Sequence, residues 1–388
     1  MNIAVVGAGV AGTAAAHELA RQGARPTVFH AQAGSSALYS GALDFEAWDR
    51  VHELSPVTPE LARFCAALGA WELGPAAAQI ATLEGNLRPT RGRDRALLDL
   101  QPLAGQRVAV VELERDDWDA RLLARSYSAS AWAKRTETVF EPVRVRALEH
   151  HFERRISSYD FAAAHDAPQR TAFLLTALKI SGVSPAAWLC GPWLGVERAV
   201  ASELSAALGV PVGETTSAPG GAAGARFESA RDRLLGQIAL VERARVLRIE
   251  PRGRGYRLET EAGEAGEFAS VVLATGGVAA GGIALERSFE RRGGAGFRLS
   301  FAAPVSIAVD GEISEGVSSL ASPDFVERGL SVLLAVGIAA SPAGAALGAP
   351  GLFVAGDALA ERPRAALFAA QSGVIAAQGA LAHARGKE

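Results

Sequence analysis

Short continuous apolar runs alternate with longer stretches of helical period along this 388-residue chain. Ile3-Ala4-Val5-Val6 opens the pattern and predicts a strand buried on both faces. An Ala-rich stretch over residues 11–22 predicts a helix, Gly23 a turn, and Thr27-Val28-Phe29 a second strand. Further apolar runs predict strands over 107–113, 186–190, 210–212, 246–249, 257–260, 269–274 and 351–355. Helical patterns cover 59–68, 117–133, 170–179, 196–208, 226–241 and about 365–384. Strands alternating with helices in this way predict an α/β architecture built on parallel strands.

The glycines at the first strand–helix junction narrow the class. Gly7, Gly9 and Gly12 follow the opening strand in a GxGxxG spacing. The first gives a tight turn, the second a close backbone approach to a phosphate, and the third close helix–strand packing, with the helix amides aimed at the anion. Dinucleotide folds place a carboxylate on the adenosine ribose at the end of the second strand. Here His30 stands at that position, and no Asp or Glu follows until Asp44. An imidazole does not grip two hydroxyls as a carboxylate does, which favours a mononucleotide flavin, or a weakly held dinucleotide, over tight NAD or FAD.

Two later strand ends add candidates. The strand 271–274 runs into Thr275-Gly276-Gly277, a small-residue turn suited to a nearby cofactor. The strand 351–355 ends in Gly356-Asp357, placing a carboxylate where it can hold ribityl hydroxyls ahead of a helix that contains Gly373. The loop 217–224 is either a linker or a binding loop, since both use the same glycine chemistry. The order of these three motifs is the layout of a Rossmann-like FAD/NAD(P)-binding fold of two-domain flavoproteins. The predicted organisation is an N-terminal part of the flavin-binding domain over 1–100, an inserted middle α/β domain over 101–215, and the remainder of the flavin-binding domain over 216–388.

Composition excludes more than it adds. A net charge of −3 with interspersed signs gives no footprint for nucleic acid or an anionic membrane. Cys65 and Cys190 lack CxxC companions and are expected as buried free thiols rather than metal ligands. No secretory leader precedes the first strand and no apolar run makes a convincing membrane span, so the expectation is a cytoplasmic chain. His150 and His151 are adjacent and so do not share a helix face; no metal site is expected. No catalytic acid, base or nucleophile stands out, and a flavin would carry the redox chemistry.

One family matches residues outside the general motifs. Ser36-Ala37-Leu38-Tyr39-Ser40-Gly41-Ala42-Leu43-Asp44, Gly85-Asn86-Leu87-Arg88-Pro89-Thr90, and Ala274-Thr275-Gly276-Gly277 with Gly281-Gly282-Ile283 resemble signatures of the B subunit of anaerobic glycerol-3-phosphate dehydrogenase. The resemblance implies FMN as cofactor, with FAD as the alternative. It also implies a complex with an FAD-containing A-type subunit that oxidises sn-glycerol 3-phosphate to dihydroxyacetone phosphate. An iron–sulfur C-type subunit would dock the assembly at the cytoplasmic face of the membrane and pass electrons to quinone. Ser40 and Gly41 then join the cofactor candidates, and Arg88 and Arg226 become candidate contacts for a flavin or substrate phosphate. The alternatives are a stand-alone FAD-dependent oxidoreductase of a small substrate and a cofactor-less assembly scaffold.

Overall fold

The computed structural model describes residues 2–46, 56–290, 296–321, 327–329 and 331–386. The elements that position the cleft are, in chain order, β1 (Ile3–Val6), α1 (Val10–Arg21), β2 (Thr27–Phe29), α2 (Pro59–Leu68), β3 (Arg107–Glu112), β4 (Val139–Arg144), β5 (Ala187–Cys190), β6 (Val212–Glu214), α3 (Ala222–Ile238), β7 (Leu240–Glu242), β8 (Ser270–Leu273), β9 (Leu352–Val354) and α4 (Ala366–Ala384).

A five-stranded parallel sheet in the order β7-β2-β1-β8-β9 forms the main layer. Every residue of β1, β2, β8 and β9 is buried, which is why these strands are apolar without alternation. The chain leaves β1 through α1 toward β2 on one side, while β8 and β9 extend the sheet on the other. The strand order therefore reverses between β1 and β8. In open parallel sheets such a switch point opens a crevice outside the carboxyl ends of the strands, and ligands bind there.

Helices α1 and α4 pack together across one face through Ala11, Ala15, Ala376, Ala377 and Ala380. Small side chains let the two backbones approach closely. A Cβ on Gly373 would fall on the carbonyl of Ala11, and one on Gly12 would fall on the carbonyl of Gly7. Gly373 serves this contact and Gly12 the close packing of α1 on the turn at Gly7; neither is among the residues lining the crevice.

A second parallel sheet, β6-β5-β3-β4, spans residues 107–214 between the two halves of the main layer. Its core holds Trp118, Tyr127, Phe161, Trp188 and Trp193. Cys65 and Cys190 are both buried free thiols. No helix among the described residues is long and apolar enough to cross a membrane, and no described cluster of His, Cys, Asp and Glu is placed to hold a metal.

Several predicted bounds move for local reasons. The helix expected over 117–133 is two, Ala120–Ala129 and Ala131–Thr136, because Ser130 adopts an extended ψ of 153° and caps the second through its Oγ. The helix expected from residue 196 starts at Val200. The preceding amides of Val196, Glu197 and Arg198 donate to the Asp166 carboxylate instead. The loop over 217–224 ends early, since α3 begins at Ala222, where Ser217 Oγ accepts the Ala223 N–H at 3.2 Å.

Candidate nucleotide cleft

The crevice at the switch point is a cleft of about 660 Å³, within the range of sites that enclose small ligands. Gly7, Gly9, His30, Thr275, Gly276, Gly356 and Asp357 all line it, although they come from four different strand ends. The sheet brings them together because β2, β1, β8 and β9 are parallel neighbours with aligned carboxyl ends.

Gly7 has φ of +107°, and a Cβ there would overlap the carbonyl of Ala274, so only glycine fits the turn. Gly9 caps α1 in an extended conformation without a side-chain hydrogen bond. The atom nearest its missing Cβ is Ser36 Oγ, at 3.0 Å. That same hydroxyl accepts the N–H of Val10 at 3.0 Å. The α1 N-terminus thus presents its amides to the cleft with Ser36 already bonded to one of them. An anion entering here shares or displaces that hydroxyl. The spacing of glycines gave no hint of Ser36, which arrives from the turn after β2.

At the opposite end Asp357 is the one carboxylate of the lining among the described residues. Burial pushes its pKa above the ordinary value of 3.8, opposed by the charge of Arg364 and a hydrogen bond from Ser35 Oγ at 3.4 Å. Arg364 fixes this corner by donating to the carbonyls of Asp357, Leu359 and Val336 at 2.6, 2.9 and 2.7 Å. The α4 N-terminus lies beside it: Ala365 is an N-cap without a side-chain partner, and Ala366 lines the cleft. A half-buried carboxylate next to a helix N-terminus without a side-chain cap suits a ligand that carries both hydroxyls and a phosphate.

His30 sits at the end of β2, where its N–H donates to the Glu242 carbonyl on β7 at 3.0 Å. Burial, followed by the charge of Arg231, lowers its pKa, so the imidazole is neutral at pH 7.

Other sequence candidates lie elsewhere. Ser40 gives its carbonyl to the Ser217 N–H at 2.8 Å, and Gly41 packs on Leu97 while its carbonyl accepts from the Asp94 amide at 2.7 Å; neither lines the cleft. Arg226, read as a phosphate contact, is corrected. It is buried and paired with Asp94 at 3.0 Å and Glu214 at 2.6 Å, and it donates to the Gly195 carbonyl at 2.8 Å. Two buried acids claim its charge, leaving none for a ligand. Arg88 is corrected in the same way, since its Nη1 binds Asp44 at 2.9 Å and the Pro89 carbonyl at 3.1 Å.

These last contacts join two segments that lie far apart in the chain. Asp44 accepts from Arg88, from Thr90 Oγ1 at 3.0 Å and from the Arg91 amide at 2.9 Å, while its carbonyl accepts the Leu367 amide at the start of α4 at 3.0 Å. The Ser40–Asp44 and Leu87–Thr90 segments are one cluster that seats the N-terminus of α4. They touch the start of that helix and do not line the cleft.

The sheet order and the glycine loop define a Rossmann-like α/β fold. The family model described as "NAD(P)-binding Rossmann-like domain" matches residues 5–56. No curated protein matches the chain. Among solved structures, it is similar to glycine oxidase from Geobacillus kaustophilus, with 16% identity, 100% of this chain and 95% of that chain covered, and a TM-score of 0.34. It is also similar to a flavoprotein/dehydrogenase from Cytophaga hutchinsonii, with 10% identity, 100% and 80% coverage and a TM-score of 0.36. A third is CtdE in complex with FAD, with 10% identity, 99% and 88% coverage and a TM-score of 0.31.

Proposed function

We propose that this chain is a flavin-dependent oxidoreductase that works as a B-type subunit of a glycerol-3-phosphate dehydrogenase complex and carries FMN. The observation that carries the flavin reading is the cleft itself, with a glycine-built anion site at the α1 N-terminus and a half-buried carboxylate at the far strand end. The residues fit such a group. Gly7, Gly9 and the α1 amides would hold a phosphate, and Asp357 the ribityl hydroxyls, with the α4 N-terminus close by. When bound, a flavin supplies two-electron and one-electron chemistry that no side chain here offers. The chain's own part is to hold and orient the group, to exclude water with the Ala-rich α1–α4 wall, and to set the charge around it through Asp357 and Arg364.

FMN is favoured over FAD by the neutral His30 where a ribose-binding carboxylate would stand. The cleft also continues along residues 244–249 beyond the glycine loop. That length favours the second reading, a stand-alone enzyme holding FAD. The family resemblance supports an A-type partner with FAD and an iron–sulfur C-type partner that reaches quinone. Purified protein should be yellow, and heat should release a flavin that chromatography identifies. A colourless protein that takes up neither FMN nor FAD would remove the flavin reading.

A further inference from the structure

Tyr39 stands between the cleft and a buried cluster of charges. The residue is half-buried and lines the cleft, while its hydroxyl donates at 3.2 Å to Oδ2 of Asp94, which does not line it. Asp94 is itself buried. Its Oδ1 accepts the Ala96 amide at 2.9 Å and pairs with Arg226 Nε at 3.0 Å. Glu214, fully buried, pairs with the same guanidinium at 2.6 Å. Two carboxylates thus share one guanidinium, and the cluster has room for one more proton. Tyr127 and Tyr256 differ: they donate to the carbonyls of Thr82 and Pro350 at 2.6 and 2.8 Å, and neither lines the cleft. A carbonyl is a far weaker base than a carboxylate. Next to Tyr39 lies the buried ring of Trp71, 5.9 Å away between centroids. Phenol and indole are the aromatic side chains that give up one electron most readily. A phenol does so more readily still when a base takes the proton it sheds.

We propose that Tyr39 is a light-driven one-electron donor to a flavin in the cleft, with Asp94 as its proton acceptor and Trp71 as a reserve donor. The proposal rests on the flavin reading above. On illumination the Tyr39 ring gives one electron to the excited flavin, and the phenolic proton crosses the existing hydrogen bond to Asp94 Oδ2. Tyr39 is oxidised by one electron, the flavin is reduced by one, and no bond to carbon forms or breaks. Return of the electron to Tyr39 and of the proton from Asp94 restores the start. The excitation then ends as heat, and neither fluorescence nor photochemical damage follows. Burial, followed by the charge of Asp94, holds the Tyr39 pKa well above its usual value, so the hydroxyl keeps its proton until the ring is oxidised.

The fluorescence lifetime of flavin bound to the purified chain tests it, loaded with FMN, or with FAD where only FAD is taken up. Bound flavin should lose most of its fluorescence, with a lifetime several-fold shorter than that of free FMN. The lifetime should lengthen in deuterium oxide, because a proton moves with the electron. Tyr39→Phe should lengthen it several-fold and remove the deuterium effect, and Tyr39→Phe combined with Trp71→Phe should restore the rest. Both substitutions keep a ring in place, and circular dichroism checks the fold. Bound flavin as bright as free flavin, quenching that survives the double substitution, or quenching without a deuterium effect overturns the proposal. A chain that takes up neither FMN nor FAD removes the flavin reading, and this inference falls with it; the absorbance of the same sample tells the two failures apart.

Discussion

At the scale of single residues, the cleft depends on backbone that only glycine permits and on one half-buried acid. Gly9→Val places a side chain against Ser36 Oγ and across the α1 amides. We expect it to abolish flavin retention, read from the absorbance of the purified variant, while circular dichroism shows the fold intact. A yellow, stoichiometrically loaded Gly9→Val protein would place the cofactor elsewhere. Asp357 carries a pH prediction of definite sign. Burial raises its folded pKa above the ordinary value of 3.8, so between the two values the folded chain binds more protons than the unfolded one, and stability falls as pH rises. Asp357→Asn should therefore stabilise the ligand-free protein at pH 7, and that gain should vanish below the ordinary carboxylate pKa. Urea titrations at both pH values measure it; a gain that persists at low pH refutes the assignment. Arg226 makes the opposite case. Removing it as Arg226→Met leaves Asp94 and Glu214 buried without a counter-charge, at a cost of about 3–5 kcal/mol. Flavin affinity of the folded fraction should stay unchanged, because the guanidinium does not reach the cleft.

At the scale of elements, the contact between α1 and α4 sets how closely the two sides of the crevice approach. Gly373 lets α4 lie against the Ala11 carbonyl, so Gly373→Val forces the helices apart. Overpacking of this kind costs roughly 1–3 kcal/mol. Because both helix N-termini face the cleft, ligand affinity should fall together with stability. A loss of stability with ligand binding untouched, compared by urea titration and flavin titration, would separate the helix pair from the site. Helix termini also show where sequence periodicity stops being informative. Residues 117–133 carry one continuous helical pattern, yet Ser130 ends one helix and caps the next. A serine in a helical pattern is compatible with either outcome, and the hydrogen bond from Ala133 to its Oγ decides between them.

At the scale of the whole molecule, no acid–base pair is assembled over the cleft among the described residues. The isolated protein should then fail to reduce an artificial dye with glycerol 3-phosphate, and activity should appear when an A-type subunit is added. Robust turnover by the chain alone would favour the stand-alone oxidoreductase instead.

The sequence by itself determined the α/β class and the identity of the central strands, because buried parallel strands must be continuously apolar and the glycine turn has few alternatives. It also marked the strand ends that carry Gly7, Gly9, Thr275, Gly356 and Asp357, since small residues and a lone acid at such ends are visible one segment at a time. What only the tertiary structure decided is which side chains meet. Ser36 reaches the α1 amides and Arg364 holds the Asp357 corner, through contacts that no local spacing encodes. The same holds for the arginines that turned inward: a guanidinium suits a ligand phosphate or a buried carboxylate equally well, and only the packing of Asp94, Glu214 and Asp44 around Arg226 and Arg88 gave each its partner.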